Sequence, residues 1–330
     1  MSDRGVPTCL VLEPGGTTRV LASSSLDDIS KLRAERDTIV WLDIADPQDD
    51  DIGLLQREFD LHPLAVEDLR TRRQRVKIDT YPNLHVVVAY ETRKPRRGRS
   101  FELGELHLIA APDSLVSIHW GASPSIEDVR QRVGQGASSV GHSVGGVLYA
   151  ILDTVVDGYF PLLDRLSDRI DRLEDRIVSG QQGGTTLRDV LAIKRELLEL
   201  RRVLAPQRDV ANALLRRDVA LIDDRAAPYF QDLYDHLVRV LDQLDLYRDL
   251  IGSTLDANLS VTSNNLNEVM KRLTAFTVVI MLPTLIASIY GMNFRGMPGL
   301  DSPLGFWMSI GAMVLLGALA AAYFRARDWF

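Results

Sequence analysis

The chain has 330 residues, 46% hydrophobic and 25% charged, with a formal net charge of −7 and one cysteine, Cys9. That balance excludes a wholly disordered chain, a collagen and a disulfide scaffold, and it leaves no intrachain disulfide and no cysteine-based zinc site. The acidic surplus disfavours a non-specific nucleic-acid binder.

The N-terminal stretch has no apolar core and no small-residue cleavage site, so no signal peptide is expected. Cys9 reads as a small apolar residue in an N-terminal strand. Residues 1–145 read as an α/β domain. Stretches rich in β-branched and aromatic residues predict strands at 38–44, 84–91, 105–110 and 115–120. Between the first two lie a helical stretch at 50–59 and the run from His62-Pro63 to Glu67-Asp68. His62 before Pro63 reads as the start of a helix. The basic run 93–99 holds Pro95 and Gly98 and reads as a solvated hairpin loop. The small, polar residues 134–146 read as a linker.

The period then changes. Leu163, Leu166, Ile170, Leu173 and Ile177 are spaced 3-4-3-4, which predicts an amphipathic helix with coiled-coil character. Glycines at 180, 183 and 184 break it. A second helix from about Thr186 carries Leu187, Leu191, Leu197, Leu200 and Leu204, and the two read as an antiparallel pair. A third runs from Pro228 to Tyr290, with a break near Gly252 as the alternative. Unbroken, it would span about 95 Å at 1.5 Å per residue, more than one globular domain covers.

Two stretches lack Asp, Glu, Lys and Arg: 22 residues at 273–294 and 23 at 302–324. About 20 apolar residues span a bilayer core as a helix, so the two read as a transmembrane hairpin. Lys271, Arg272, Arg325 and Arg327 flank it on the outside, which puts both termini in the cytosol.

Asp235, Asp242, Asp249 and Asp256 recur every seven residues along the third helix. The two registers that continue from them place Asn267, Met270, Thr274, Thr277, Met281, Thr284 and Ser288 on one 3-4-3-4 face. A weakly polar stripe without charge suits a path for a hydrated cation, because hydroxyls and amides bond its water shell without trapping the ion. Helix packing in lipid is the other reading, since Ser and Thr at this spacing also support close contact. The six Asp between 228 and 260 would attract cations if they ringed an axis, or form a solvated face.

Tyr290-Gly291-Met292-Asn293-Phe294 ends the first apolar stretch. In that place it resembles the signature of the CorA family of divalent-cation channels. The runs 267–271, 229–236 and 62–68 resemble further motifs of the same family. The resemblance implies a funnel-shaped homopentamer with an α+β membrane fold. It would comprise a cytosolic α/β domain (1–145), a helical stalk (146–271), a pore helix (272–290), an external loop (291–301), a second span (302–324) and a cytosolic tail (325–330). It further implies that Gly291, Met292 and Asn293 form an outer ring for hydrated Mg²⁺, that the stripe lines the conduit and that Asp256 rings its inner mouth. Regulatory Mg²⁺ would sit between subunits on Asp68 and Asp232, with Glu67 and Asp153 at a second site. Transport of Co²⁺, Ni²⁺ or Zn²⁺ is the nearest alternative, and a non-conducting membrane scaffold the more distant one. The outer loop departs from the family pattern, with Gly299 after Met297-Pro298 and with Arg295 balanced by Asp301. No phosphate-binding loop for ATP is present. His62, Glu67, Asp68, His85 and His107 form no catalytic spacing, so no enzyme is expected. The expected setting is the plasma (inner) membrane, with lipid and further copies of the chain as partners and no nucleic acid.

Overall fold

The computed structural model describes residues 7–13, 17–22, 29–33, 35, 38–95, 100–135, 143–179, 184–216, 222, 226–293, 297–299 and 302–329. The loop charges Arg295 and Asp301 and the helix break at 180–183 lie outside them. The chain divides into two compact units, Met1–Leu173 with Leu187–Ile251, and Glu174–Thr186 with Gly252–Phe330.

The first unit is built on a seven-stranded sheet in the order β2-β1-β3-β7-β6-β5-β4. Its strands are β1 (Thr8–Leu12), β2 (Thr18–Ala22), β3 (Ile39–Ala45), β4 (Lys77–Thr80), β5 (His85–Arg93), β6 (Glu102–Ala111) and β7 (Ser114–His119). Among the described residues, only β3 and β7 pair in parallel, Val40 opposite Ser114 through Ala45 opposite His119. The four strands expected from β-branched content are β3, β5, β6 and β7, and Cys9 lies in β1. β2 and β4 are short edge strands that the pattern did not show.

Alternation along the strands sends two apolar sets to opposite faces. Val11, Leu42, Ile44, Val86, Ile109 and Val116 pack with Ile52, Leu55, Phe59, Val66 and Leu69. The latter come from α2 (Asp49–Phe59) and α3 (Pro63–Thr71). The other face meets α4 (Pro124–Gly134) and α5 (Val144–Asp157). Leu61 and the short α1 (Ile29–Arg33) complete the first layer. The linker expected at 134–146 is shorter among the described residues, because α4 continues to Gly134 and α5 begins at Val144 behind its cap, where Ser143 Oγ accepts from Gly146 N at 3.0 Å.

Arg93 is not a solvated loop residue. It ends β5, with its side chain 15% exposed, and ion-pairs with the fully buried Glu91 at 2.9 Å. Glu91 also accepts from Ser125 N at 3.1 Å. A charge taken out of water requires such partners. Gly104 makes room for Arg93, whose Nε would lie 1.9 Å from a Cβ there.

α6 (Phe160–Val178) buries Leu163, Leu166, Ile170, Leu173 and Ile177, the face its period predicts. α7 (Gly184–Leu215) differs from expectation. Its buried face is Val190, Ile193, Leu197, Leu200 and Leu204, whereas Leu187 and Leu191 are 47% and 42% exposed. At about 100° per residue, Leu187 and Leu191 both fall to one side of the 3-4 register that starts at Val190. α8 (Ala227–Tyr290) is one continuous helix of 64 residues, unbroken at Gly252. α9 (Gly305–Ala326) follows.

Candidate ion pathway and metal-binding cluster

Among the described residues, three stretches are long and apolar enough to cross a membrane: Val144–Ile177, the α8 segment and α9. The first is mostly buried and serves as core, whereas the apolar parts of α8 and α9 are almost wholly exposed. Soluble helices do not leave such surface to water, so α8 and α9 are membrane spans.

Within the second unit, α8 turns Ala275, Val278, Val279, Leu282, Pro283 and Ile286 inward; Ala275 is fully buried and the rest are half-buried. The matching face of α9 is Gly305, Ser309, Met313, Gly317, Ala320, Ala321 and Phe324. Small residues let the helices approach. A Cβ on Gly317 would sit 3.7 Å from Pro283 Cγ, and one on Gly305 would collide with the carbonyl oxygen of Gly299, whose φ is +90°.

The polar stripe lies elsewhere. Asn267, Met270, Thr274, Thr277, Met281, Thr284 and Ser288 are all exposed. At about 100° per residue the centre of this stripe is about 150° around the helix from the face that meets α9. Thr274, Thr277 and Thr284 each donate their hydroxyl hydrogen to the carbonyl four residues earlier, at 2.8 Å. Their outward lone pairs are therefore acceptors. Water bound to a cation points its hydrogens outward, so these oxygens match the shell of a hydrated ion.

α8 ends at Tyr290 with Gly291 N donating to Ala287 O at 2.9 Å and Met292 N to Ile289 O at 3.2 Å. Gly291, Met292 and Asn293 are exposed. Asn293 is not among the left-handed residues, which removes a left-handed helix cap as its role. Asp256 is exposed on the same helix, and Glu268 holds Arg272 at 2.5 Å.

In the first unit, α5 and α8 bring three donors together. Ligand atoms of Asp153, Asp232 and His236 all lie within 4.8 Å of one another. His236 Nε2 is 3.7 Å from Asp232 Oδ1, and its Nδ1 is 4.0 Å from Asp153 Oδ1. His236 Nδ1 is buried without a hydrogen bond among the described residues. Burial, and then the charge of Asp157, pushes the Asp153 carboxyl above the usual carboxylate range; a bond from Tyr149 and the nearby His236 act the other way, and Asp232 adds to the rise. Burial and the same carboxylates push the Tyr149 hydroxyl well up. The cluster thus carries negative charge that its own surroundings do not balance, and its oxygen and imidazole donors fit a divalent cation.

Asp68 and Glu67 do not belong to this cluster. Asp68 Oδ2 lies 2.6 Å from Lys77 Nζ. The Glu67 side chain is exposed, and its backbone carbonyl accepts from Thr71 Oγ1 at 3.0 Å. So within one chain the structure joins Asp153 to Asp232, and Asp68 to Lys77. Sequence reasoning missed His236 and Lys77. For His236 the signal existed, since Asp232 and His236 stand four apart on one helix face. For Lys77 there was none. His62 accepts from Leu64 N at 3.2 Å with Nδ1 and caps α3, as a residue before a helix-starting proline should.

The family profile described as "CorA-like Mg2+ transporter protein" matches residues 36–326. The chain belongs to the CorA family. The cobalt/magnesium transport protein CorA of Thermotoga maritima is 31% identical over 92% of this chain and 87% of its own length. The protein of that name in Methanocaldococcus jannaschii is 24% identical over 94% and 96%. The solved complete structure of the CorA magnesium transporter from M. jannaschii superposes with a TM-score of 0.84 at 21% identity, covering 99% of this chain and all of that one. That of the full-length CmaX protein gives 0.79 at 21%, covering 98% and 100%. The fold is therefore that of full-length CorA: an α/β N-terminal part, a long helix and two apolar C-terminal helices. CorA membership places this chain in a family of divalent-cation membrane transporters.

Proposed function

We propose that the chain assembles as a homopentamer whose α8 helices line a passive, potential-driven Mg²⁺ uptake pathway, closed by Mg²⁺ bound between subunits on the cytosolic side. The observation that carries this reading is the placement of the polar stripe. Intrachain packing of α8 on α9 uses one face, and the acceptor-bearing stripe occupies nearly the opposite one. In the assembly that second face meets the axis. Asn293, with Gly291 and Met292, forms the outer ring and bonds the water shell of an ion that dehydrates reluctantly. Thr274, Thr277, Met281, Thr284 and Ser288 carry the hydrated ion inward to Asn267 and Met270, and Asp256 concentrates cations at the inner mouth. Both termini lie in the cytosol. A divalent cation crossing 100 mV gains about 4.6 kcal/mol, twice the value for one charge, so no ATP is needed. Co²⁺ shares the pathway, in keeping with the names of the relatives; Ni²⁺ and Zn²⁺ are the further ions to test.

For gating, Asp153, Asp232 and His236 are the donors within one chain, with Glu67 and Asp68 meeting them from a neighbouring subunit. A bound divalent cation supplies the positive charge that holds these carboxylates together. Without it Asp153, Asp157 and Asp232 repel, and the interface loosens. The test is influx into liposomes loaded with an Mg²⁺-sensitive dye. Uptake that stops when Mg²⁺ is raised on the cytosolic side, and that is lost in Asn293→Ala, supports the reading. Absence of flux from well-formed oligomers refutes it.

A further inference from the structure

Asp68 is already held by a cation, the ammonium of Lys77. Lys77 stands at the start of edge strand β4, and its Nζ lies 2.6 Å from Asp68 Oδ2 and 2.5 Å from Asp79 Oδ2. The three side chains are 22%, 22% and 34% exposed, so the group is partly shielded from bulk water. The geometry is fixed from behind. α3 ends in two consecutive residues of positive φ, Arg72 at 53° and Arg73 at 55°. Glu105 holds that turn by accepting from Arg73 N at 2.6 Å and Gln74 N at 2.9 Å. Tyr90 donates its hydroxyl to Gln74 O at 2.7 Å. The backbone from Asp68 to Lys77 is therefore held in place, and the two groups can part only by rotation of the Lys77 side chain.

We propose that Lys77 is a built-in competitor for the divalent cation at Asp68, and that it raises the Mg²⁺ concentration at which the assembly closes. This rests on the assignment of Asp68 to the gate. An ammonium and a divalent cation on the same Asp68 carboxylate would repel each other at a few ångströms, so metal binding favours withdrawal of Lys77. Asp79 makes the withdrawal cheap, because the ammonium keeps one carboxylate when it gives up the other. The arrangement tunes the site: Lys77 weakens it by occupying Asp68, and Asp79 softens that weakening by retaining the displaced charge. A lysine present only to steady β4 would need neither the bridge to α3 nor the second carboxylate.

The experiment uses the full-length oligomer in detergent and Mg²⁺ alone as the probe. Two readouts are followed against Mg²⁺ concentration: protection from limited proteolysis, and the thermal midpoint. In Lys77→Gln the half-saturating Mg²⁺ concentration should fall about tenfold, from the removal of one positive charge a few ångströms from the ion. Lys77→Arg should stay near the parent. Asp79→Asn, which leaves the ammonium to Asp68 alone, should move half-saturation upward. An unchanged or raised half-saturation in Lys77→Gln overturns the proposal, as does a lowered one in Asp79→Asn. Should Lys77→Gln fail to fold, the Asp79→Asn shift decides. A purely structural lysine would lower the midpoint at every Mg²⁺ concentration and leave half-saturation in place. Asp68→Asn separates the two levels. If it leaves the Mg²⁺ response intact, the gate assignment itself fails; if it abolishes the response while Lys77→Gln behaves as the parent, only the competitor role fails.

Discussion

Two substitutions on α8, nine residues apart, should have opposite signatures. Thr284→Val replaces a stripe hydroxyl by a methyl of the same shape. The lost hydrogen bond is a local one to Ile280 O, the side chain is exposed, and the α9-facing surface is untouched. Folding and assembly should therefore be kept within about 0.5 kcal/mol. The permeating ion loses one acceptor per subunit. At about 1 kcal/mol per hydrogen bond the barrier to passage rises enough to slow flux about fivefold, and more if several subunits contact the ion together. Ala275→Leu does the reverse. Ala275 is fully buried, and an overpacked site costs about 1–3 kcal/mol. Its loss should appear as a lower thermal midpoint and less assembled protein, with flux per assembled oligomer near normal. The assay pairs liposome influx with a thermal scan of the same preparations. Thr284→Val conducting at the parent rate, or failing to assemble, would refute the separation of a packing face from a conducting one.

Asp232→Asn should raise the thermal midpoint in Mg²⁺-free buffer and flatten its dependence on Mg²⁺, because it removes a charge that repels Asp153; a scan with and without Mg²⁺ checks both. The raised Asp153 carboxyl means that stability is lost as pH rises through its folded value, so the Mg²⁺-free midpoint should climb as pH falls through that value toward the ordinary carboxylate range. His119 acts in a higher window. Burial opposes its charge, but the bond to Asp43 and the Gly121 carbonyl outweigh burial and hold its pKa above the usual 6.5. Its contribution is thus complete below about pH 6.5 and lost as pH rises through the folded value; His119→Gln should remove that part of the pH profile. Leu200→Ala, at a fully buried position of α7, should cost about 2–5 kcal/mol, whereas Leu191→Ala should cost little, as denaturant unfolding would show.

Much of the fold was legible because single-face burial leaves a period. The five buried residues of α6 stand at a regular 3-4 spacing, and α8 shows as a stretch without proline between Pro228 and Pro283, interrupted only by Gly252. β3, β5, β6 and β7 were legible as β-branched runs. β4 was not, since Lys77-Ile78-Asp79-Thr80 alternates charge with a single apolar residue at a sheet edge. On α7 every leucine looks alike in the sequence, and only the register of the partner helices decides that Leu197 is buried and Leu191 is not. The same limit applies to the site. The stripe could be written down from spacing, but whether it packed or faced away depended on which side of α8 meets α9. Asp153 and Asp232 lie on different helices, and their meeting with His236 is a product of the tertiary fold. The Lys77 contact follows from the tight turn after α3, which two non-glycine residues of positive φ make and which no turn motif announces.

In the proposed assembly one face of α8 lines the ion path, and the chain's cysteine content makes a direct test available. Cys9 is the single cysteine, buried, with its thiol pushed up to about 11 by burial, so it is inert to thiol reagents at neutral pH. Single cysteines placed at Thr277, Thr284 and Ser288, and at Val279 and Leu282 as controls, would be treated with a small cationic thiol reagent during Mg²⁺ influx into liposomes. Block is expected at the first three positions and none at the two controls. Equal block at both sets, or block confined to the controls, would contradict that assignment of the face.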